Sequence, residues 1–187
     1  VVPTIEHCSV SGSLKVNVTS TEIAVNNYKI TVGGIAGQVY AGDIHSCTNN
    51  MDITIQQVTK TGTSNPAVTP NIGGIVGYSQ KLTTSEVTRY NNTTNCVNNG
   101  AIKYEDASGS TRSTATIGGI IGYSYDSNLD FLLSNCTNNG PISYDSTCNN
   151  LRIGGVVGMA TGSNANKAQL DNLTNNGAIS VKGTMAG

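Results

Sequence analysis

The sequence predicts an all-β fold, a right-handed parallel β-solenoid, and three observations carry that prediction. Two short phrases alternate along the chain at a period of about 36 to 49 residues, the signature of a stacked repeat. Each phrase contains the apolar alternation of a strand rather than the 3.6-residue period of a helix. The composition agrees: the polar residues are mainly Asn, Ser and Thr, and 22 glycines accompany them. These residues compete with helical hydrogen bonds or lose too much entropy in a helix.

The first phrase reads HCSVSGSLKV (7–16), SCTNNMDITI (46–55), NCVNNGAIKY (95–104), NCTNNGPISY (135–144) and NLTNNGAISV (172–181). Aligned, it places Cys8, Cys47, Cys96, Cys136 and Leu173 in one column and Leu14, Ile53, Ile102, Ile142 and Ile179 in another. A column shared by cysteine and leucine reads as a stack of small buried residues. Asn49, Asn98, Asn138 and Asn175 form a further column, with Val10 in the first rung. Their amides are placed to bond from rung to rung across the ~4.8 Å strand spacing. Gly12, Gly100, Gly140 and Gly177 form one more column, with Met51 as its exception, and the Asn-Gly step of the last three copies signals a turn residue with positive φ.

The second phrase reads VGGIAGQV (32–39), IGGIVGYS (72–79), IGGIIGYS (117–124) and IGGVVGMA (153–160). Both faces of such a strand are apolar, which predicts cover on both sides. Its glycines, Gly34, Gly74, Gly119 and Gly155 among them, predict a close approach of another segment. The insertions after each copy, 79–94 and 124–134, are the candidates. Further variable segments, 59–71, 105–116 and 145–152, join one coil to the next.

Three short strands per coil, about four full coils and a partial one at the N-terminus follow, with residues 1–187 forming a single repeat domain. The right hand follows from the strong preference of parallel crossovers. The chain opens without an initiator Met or a signal-peptide pattern and reads as a mature or excised segment. Solenoid ends need caps, and neither end carries an obvious one. Partners are therefore expected to be other domains of the same parent chain, or further copies associating end to end.

A Gly-Gly-Ile-Val-Gly strand, a variable stretch and then Asn95-Cys96 before a small-residue corner resembles the GLUG-motif repeats of bacterial surface proteins. It is similar as well to the Asn-rich repeats of secreted or lipid-anchored proteins of gut Bacteroidetes. The likeness runs from about Ile5 to Val181. The asparagine pair departs from the usual motif. The resemblance implies an extracellular or cell-surface location and an adhesin-like or structural role. The expected external partner is a host or bacterial surface glycan or protein, and the alternative function is a glycan-binding accessory or degenerate polysaccharide-active β-helix of a surface glycan-uptake system. The resemblance supplies no catalytic residues.

The residues themselves offer little catalytic chemistry. A net charge of −1 with only 11% charged residues excludes a strongly basic nucleic-acid surface. No apolar run reaches the roughly 20 residues that span a bilayer, so neither nucleic acid nor direct membrane insertion is expected. The carboxylates Asp43, Glu86, Glu105, Asp106, Asp126, Asp130, Asp145 and Asp171 are scattered without the converging pair that glycan cleavage requires. No Cys-x-x-Cys or Cys/His spacing suits a metal. His7 and His45 fall on neighbouring rungs, but their one-residue offset points them to opposite faces. The sequence therefore assigns no catalytic residue, metal site or cofactor.

Tyr78 and Tyr123 share a column, as do Tyr104 and Tyr144, and stacked tyrosines can make a sugar-binding platform. Parity turns Tyr104 and Tyr144 toward the core, and a structural role is preferred for both columns. The ligand-binding candidates are the residues of the insertions, Tyr90, Tyr125, Asp126 and Asp130. Cys148 lies outside the cysteine column in a joining segment.

Overall fold

In the computed structural model the described residues are 3–21, 28–61, 68–80, 82–83, 88–89, 91–106, 114–125, 132–146, 150–161 and 169–183. They form a parallel β-solenoid of three sheets, beside which Leu82–Thr83 and Thr88–Arg89 make a small antiparallel pair, and no helix occurs among them. The second sheet stacks Tyr28–Gly33, Val68–Gly73, Thr114–Gly118 and Asn150–Gly154. The third stacks Ala36–Tyr40, Val76–Gln80, Ile121–Tyr125 and Val157–Thr161. About three turns link the first and last of these rungs. The first sheet continues to a further rung, Gln169–Asn175 with Ile179–Lys182. The sequence suggested about four coils and a partial one, and the described rungs make about three turns.

The sequence columns are the sheet registers. Ile53, Ile102, Ile142 and Ile179 pair in succession, as do Val32, Ile72, Ile117 and Ile153. The inward residues fill two adjoining chambers. In one, Ile53, Ile55, Ile102, Tyr104, Ile142 and Tyr144 of the first sheet meet Ile72, Ala115 and Ile117 of the second. Tyr104 and Tyr144 stack there, with centroids 5.3 Å apart and planes 10° from parallel. In the other, Ile44, Cys47, Cys96, Leu133 and Cys136 meet Ile75, Val76, Ile120 and Ile121.

The asparagine column runs between the chambers. Asn49 Nδ2 donates to Asn98 Oδ1 at 2.7 Å, Asn98 Nδ2 to Asn138 Oδ1 at 2.7 Å, and Asn138 Nδ2 to Asn175 Oδ1 at 2.8 Å. Opposite it stand the second glycines of the Gly-Gly pairs. A Cβ on Gly119 would lie 2.1 Å from the Gly155 carbonyl oxygen and 2.3 Å from Asn138 Cγ. The second glycines therefore admit the asparagine ladder; the central parts of the insertions that the sequence suggested, 84–87 and 126–131, lie outside the described residues. Nor is the glycine phrase one strand. It bends between Gly73 and Val76, so its two halves belong to different sheets.

The positive φ also sits largely elsewhere than expected, Gly12 with φ 113° being the exception in the glycine column. It falls on the residue before the cysteine column, at His7, Ser46, Asn95, Asn135 and Asn172, with φ between 48 and 57°. That left-handed step turns the first sheet into two arms, and asparagine tolerates it better than most residues. Gly100, Gly140 and Gly177 lie outside the left-handed region. Their role is close stacking, since a Cβ on Gly140 would stand 1.9 Å from the Gly100 carbonyl oxygen.

Candidate functional site

The second and third sheets fold toward each other on their outer faces. A Cβ on Gly37 would come within 3.0 Å of the Thr31 carbonyl oxygen, and one on Gly122 within 2.7 Å of both the Ile72 nitrogen and its oxygen. Bare backbone at these positions lets a narrow groove form. One wall carries the column Thr31, Asn71, Thr116 and Arg152. The other carries Gln38, Tyr78, Tyr123 and Met159, and beside it Tyr40, Gln80, Tyr125 and Thr161.

Alternation along each third-sheet strand explains this outer wall. Ser79 and Ser124 turn inward and are buried, so the residues on either side must turn outward. The result is an interleaved face of tyrosine and glutamine. Tyr78 and Tyr123 meet edge to face with centroids 5.4 Å apart, and Tyr123 meets Tyr125 at 6.3 Å. Tyr78 donates its hydroxyl proton to Gln80 Oε1 at 3.0 Å, and the Tyr123 and Thr161 hydroxyls lie 2.8 Å apart. Burial, then the neighbouring Tyr123, raises the Tyr78 phenol above its ordinary pKa. Tyr40 and Tyr125, by contrast, are 56% and 41% exposed.

At the first two rungs the groove opens into a pocket of about 190 Å³ lined by Lys29, Thr31, Gln38, Tyr40, Asn71, Tyr78 and Gln80. It is smaller than the roughly 300–1,000 Å³ of sites that engulf a ligand, and suits one edge of a ligand laid along the face. Asn71 is buried, and its Oδ1 has no hydrogen-bond partner among the described residues. A buried acceptor left unpaired costs about 1–3 kcal/mol, so a donor entering the pocket would find a strong partner. None of the lining residues is acidic.

Of the loop candidates, Tyr125 lies at the edge of this face. Tyr90, Asp126 and Asp130 fall outside the described residues, as does Cys148. Tyr40, Gln38, Gln80 and Asn71 were missed by the sequence reading. A signal for the first three existed: polar and aromatic residues recur at alternate positions after each glycine phrase, in Gln38-Val39-Tyr40, Tyr78-Ser79-Gln80 and Tyr123-Ser124-Tyr125. Asn71 gave none, because its burial depends on how closely the two sheets approach. Cys47, Cys96 and Cys136 are buried, and Cys8 in the first rung is exposed.

The segment from Ile30 to Thr54 crosses the second sheet, the glycine bend, the third sheet and the start of the asparagine column. It is this stretch, residues 30–54, that matches the family model of the GLUG motif. The chain carries the GLUG motif, set in a β-solenoid with asparagine ladders. One GLUG match therefore spans one passage through all three sheets, including the Gln38 and Tyr40 positions of the outer face. No curated protein and no solved structure matches the chain.

Proposed function

We propose that this GLUG-motif solenoid is a non-enzymatic, extracellular, adhesin-like module of a bacterial surface protein, and that it binds glycan on the outer face of its third sheet. The observation that carries the reading is the tyrosine and glutamine face beside the unpaired buried Asn71 acceptor. Sugars present flat C–H faces ringed by hydroxyls. Tyrosine rings meet the former, and side-chain amides meet the latter. A groove without carboxylates in its pocket favours binding over cleavage, because glycoside hydrolysis uses a carboxylate pair. Neighbouring domains of the parent chain, or further copies, would continue the stack.

A second reading, a rigid spacer, is favoured by the unbroken amide ladder, which fixes each coil on the next. A glycan array probed with the purified chain separates the two. Adhesion predicts a restricted set of hits whose affinity falls about tenfold or more in Tyr40→Ala/Tyr125→Ala, the loss typical of an aromatic contact residue. An array without hits, or hits that the double variant leaves unchanged, overturns the glycan reading and leaves the spacer.

A further inference from the structure

The left-handed step at His7 has a chemical consequence. It breaks the alternation of the first rung, so the His7 and His45 rings share one side of the sheet instead of pointing to opposite faces. Their centroids stand 5.7 Å apart, at 85° to each other. Glu6 pairs in register with His45, and its Oε2 lies 2.9 Å from His45 Nε2. One ligand atom from each of Glu6, His7 and His45 falls within 4.8 Å of the other two.

We propose that Glu6, His7 and His45 form a binding site for a divalent transition-metal ion of the Zn2+ class, bridging the first two rungs. Two imidazoles and a carboxylate are borderline donors that suit Zn2+, and three protein ligands leave a fourth position open to water or to a ligand. Donor atoms around a tetrahedral ion with bonds of about 2.0–2.1 Å stand roughly 3.4 Å apart. Rotamer changes of the exposed Glu6 and His7 side chains close the remaining gap. The scaffold is already set, because His7 N–H donates to the His45 carbonyl at 3.3 Å. His45 Nδ1 faces the Ser46 hydroxyl at 3.5 Å, which leaves Nε2, the nitrogen near Glu6, for the metal.

The repeat itself singles out this place. In later rungs the column of Glu6 and His45 continues as Thr94, Ser134 and Asp171. The left-handed column of His7 and Ser46 continues as Asn95, Asn135 and Asn172. Architecture is served by Thr, Ser, Asp and Asn at these positions. Glu6 and the two histidines replace them in adjacent rungs, where they can meet.

The test titrates the 187-residue chain with Zn2+ against a chromophoric chelator, and follows the imidazole proton resonances. The chain has only two histidines, so both signals should shift together and saturate at about one equivalent of Zn2+. His7→Asn and His45→Thr copy the third rung and so preserve the backbone. Each should weaken binding by at least about 10–100-fold, the loss caused even by removing a group behind a ligand. Substituted Co2+ should give visible d–d bands without a thiolate charge-transfer band. An unshifted histidine signal, wild-type affinity in His45→Thr, or a thiolate band placing the metal on cysteine would each overturn the site.

Discussion

Two asparagine columns stand side by side at the same corner, one residue apart in sequence, and they do different work. The inner column, Asn49, Asn98, Asn138 and Asn175, is buried through its first three rungs. Each of its amides donates to the next rung or to the carbonyl two residues ahead, as Asn98 Nδ2 does to Gly100 at 3.0 Å. The outer column, Asn50, Asn99, Asn139 and Asn176, is exposed, and its amides bond to one another at 2.8 Å. The two also run in opposite senses. Inner amides donate toward later rungs, and outer amides toward earlier ones. The same residue type thus serves as a structural partition on one face and as a solvated trim on the other. The difference is water: an inner amide that loses its partner has none to replace it, and an outer one does.

The sharpest test of that contrast is Asn98→Ala. It strips partners from Asn49, Asn138 and the Gly100 carbonyl at once, and should cost about 3 kcal/mol or more by urea denaturation. A cost below about 1 kcal/mol would show that the inner ladder contributes no more than a surface bond.

A smaller effect is expected from a thiol beside the inner ladder. Burial raises the Cys47 thiol above its ordinary pKa. Unfolded thiols ionise near pH 8.5, so the unfolded chain sheds this proton first. Its contribution to stability is complete below that pH and declines as pH rises beyond it. Denaturation midpoints measured from neutral to strongly alkaline pH should fall above about pH 8.5, and less steeply in Cys47→Ala. Equal slopes would remove this thiol from the account.

The smallest effect belongs to Asn99→Ala, on the exposed side. It should change stability by no more than about 0.5 kcal/mol, since water replaces both neighbours' partners. Parity with Asn98→Ala would erase the distinction between the columns.

Periodicity made the scaffold legible. Because each coil stacks on the next, aligning Ile53, Ile102 and Ile142 in the sequence was equivalent to stating their sheet register. Position along the coil was harder to read. Glycine at 100, 140 and 177 suggested a left-handed turn, yet these residues are small because carbonyls of the preceding rung press on them. The true left-handed step is shared by His, Ser and Asn, a mixture with no single residue signature. That step also reset the parity on which the separation of His7 from His45 depended. The outer face was half visible: Tyr78 and Tyr123 stood in one column, but the groove beside them depends on the angle between two sheets, which no local pattern encodes.

The inner ladder keeps bonds of 2.7, 2.7 and 2.8 Å while the chain between successive asparagines measures 49, 40 and 37 residues. It is a ruler graduated in coils, indifferent to how much polypeptide lies between its marks. Loops can therefore lengthen or shrink without disturbing the spine, and a whole coil can be duplicated in frame, since each asparagine offers a donor on one side and an acceptor on the other. A one-residue slip inside the corner has no such freedom. Reach, then, is a quantity that this architecture can vary by copying, with the chemistry of each junction unchanged.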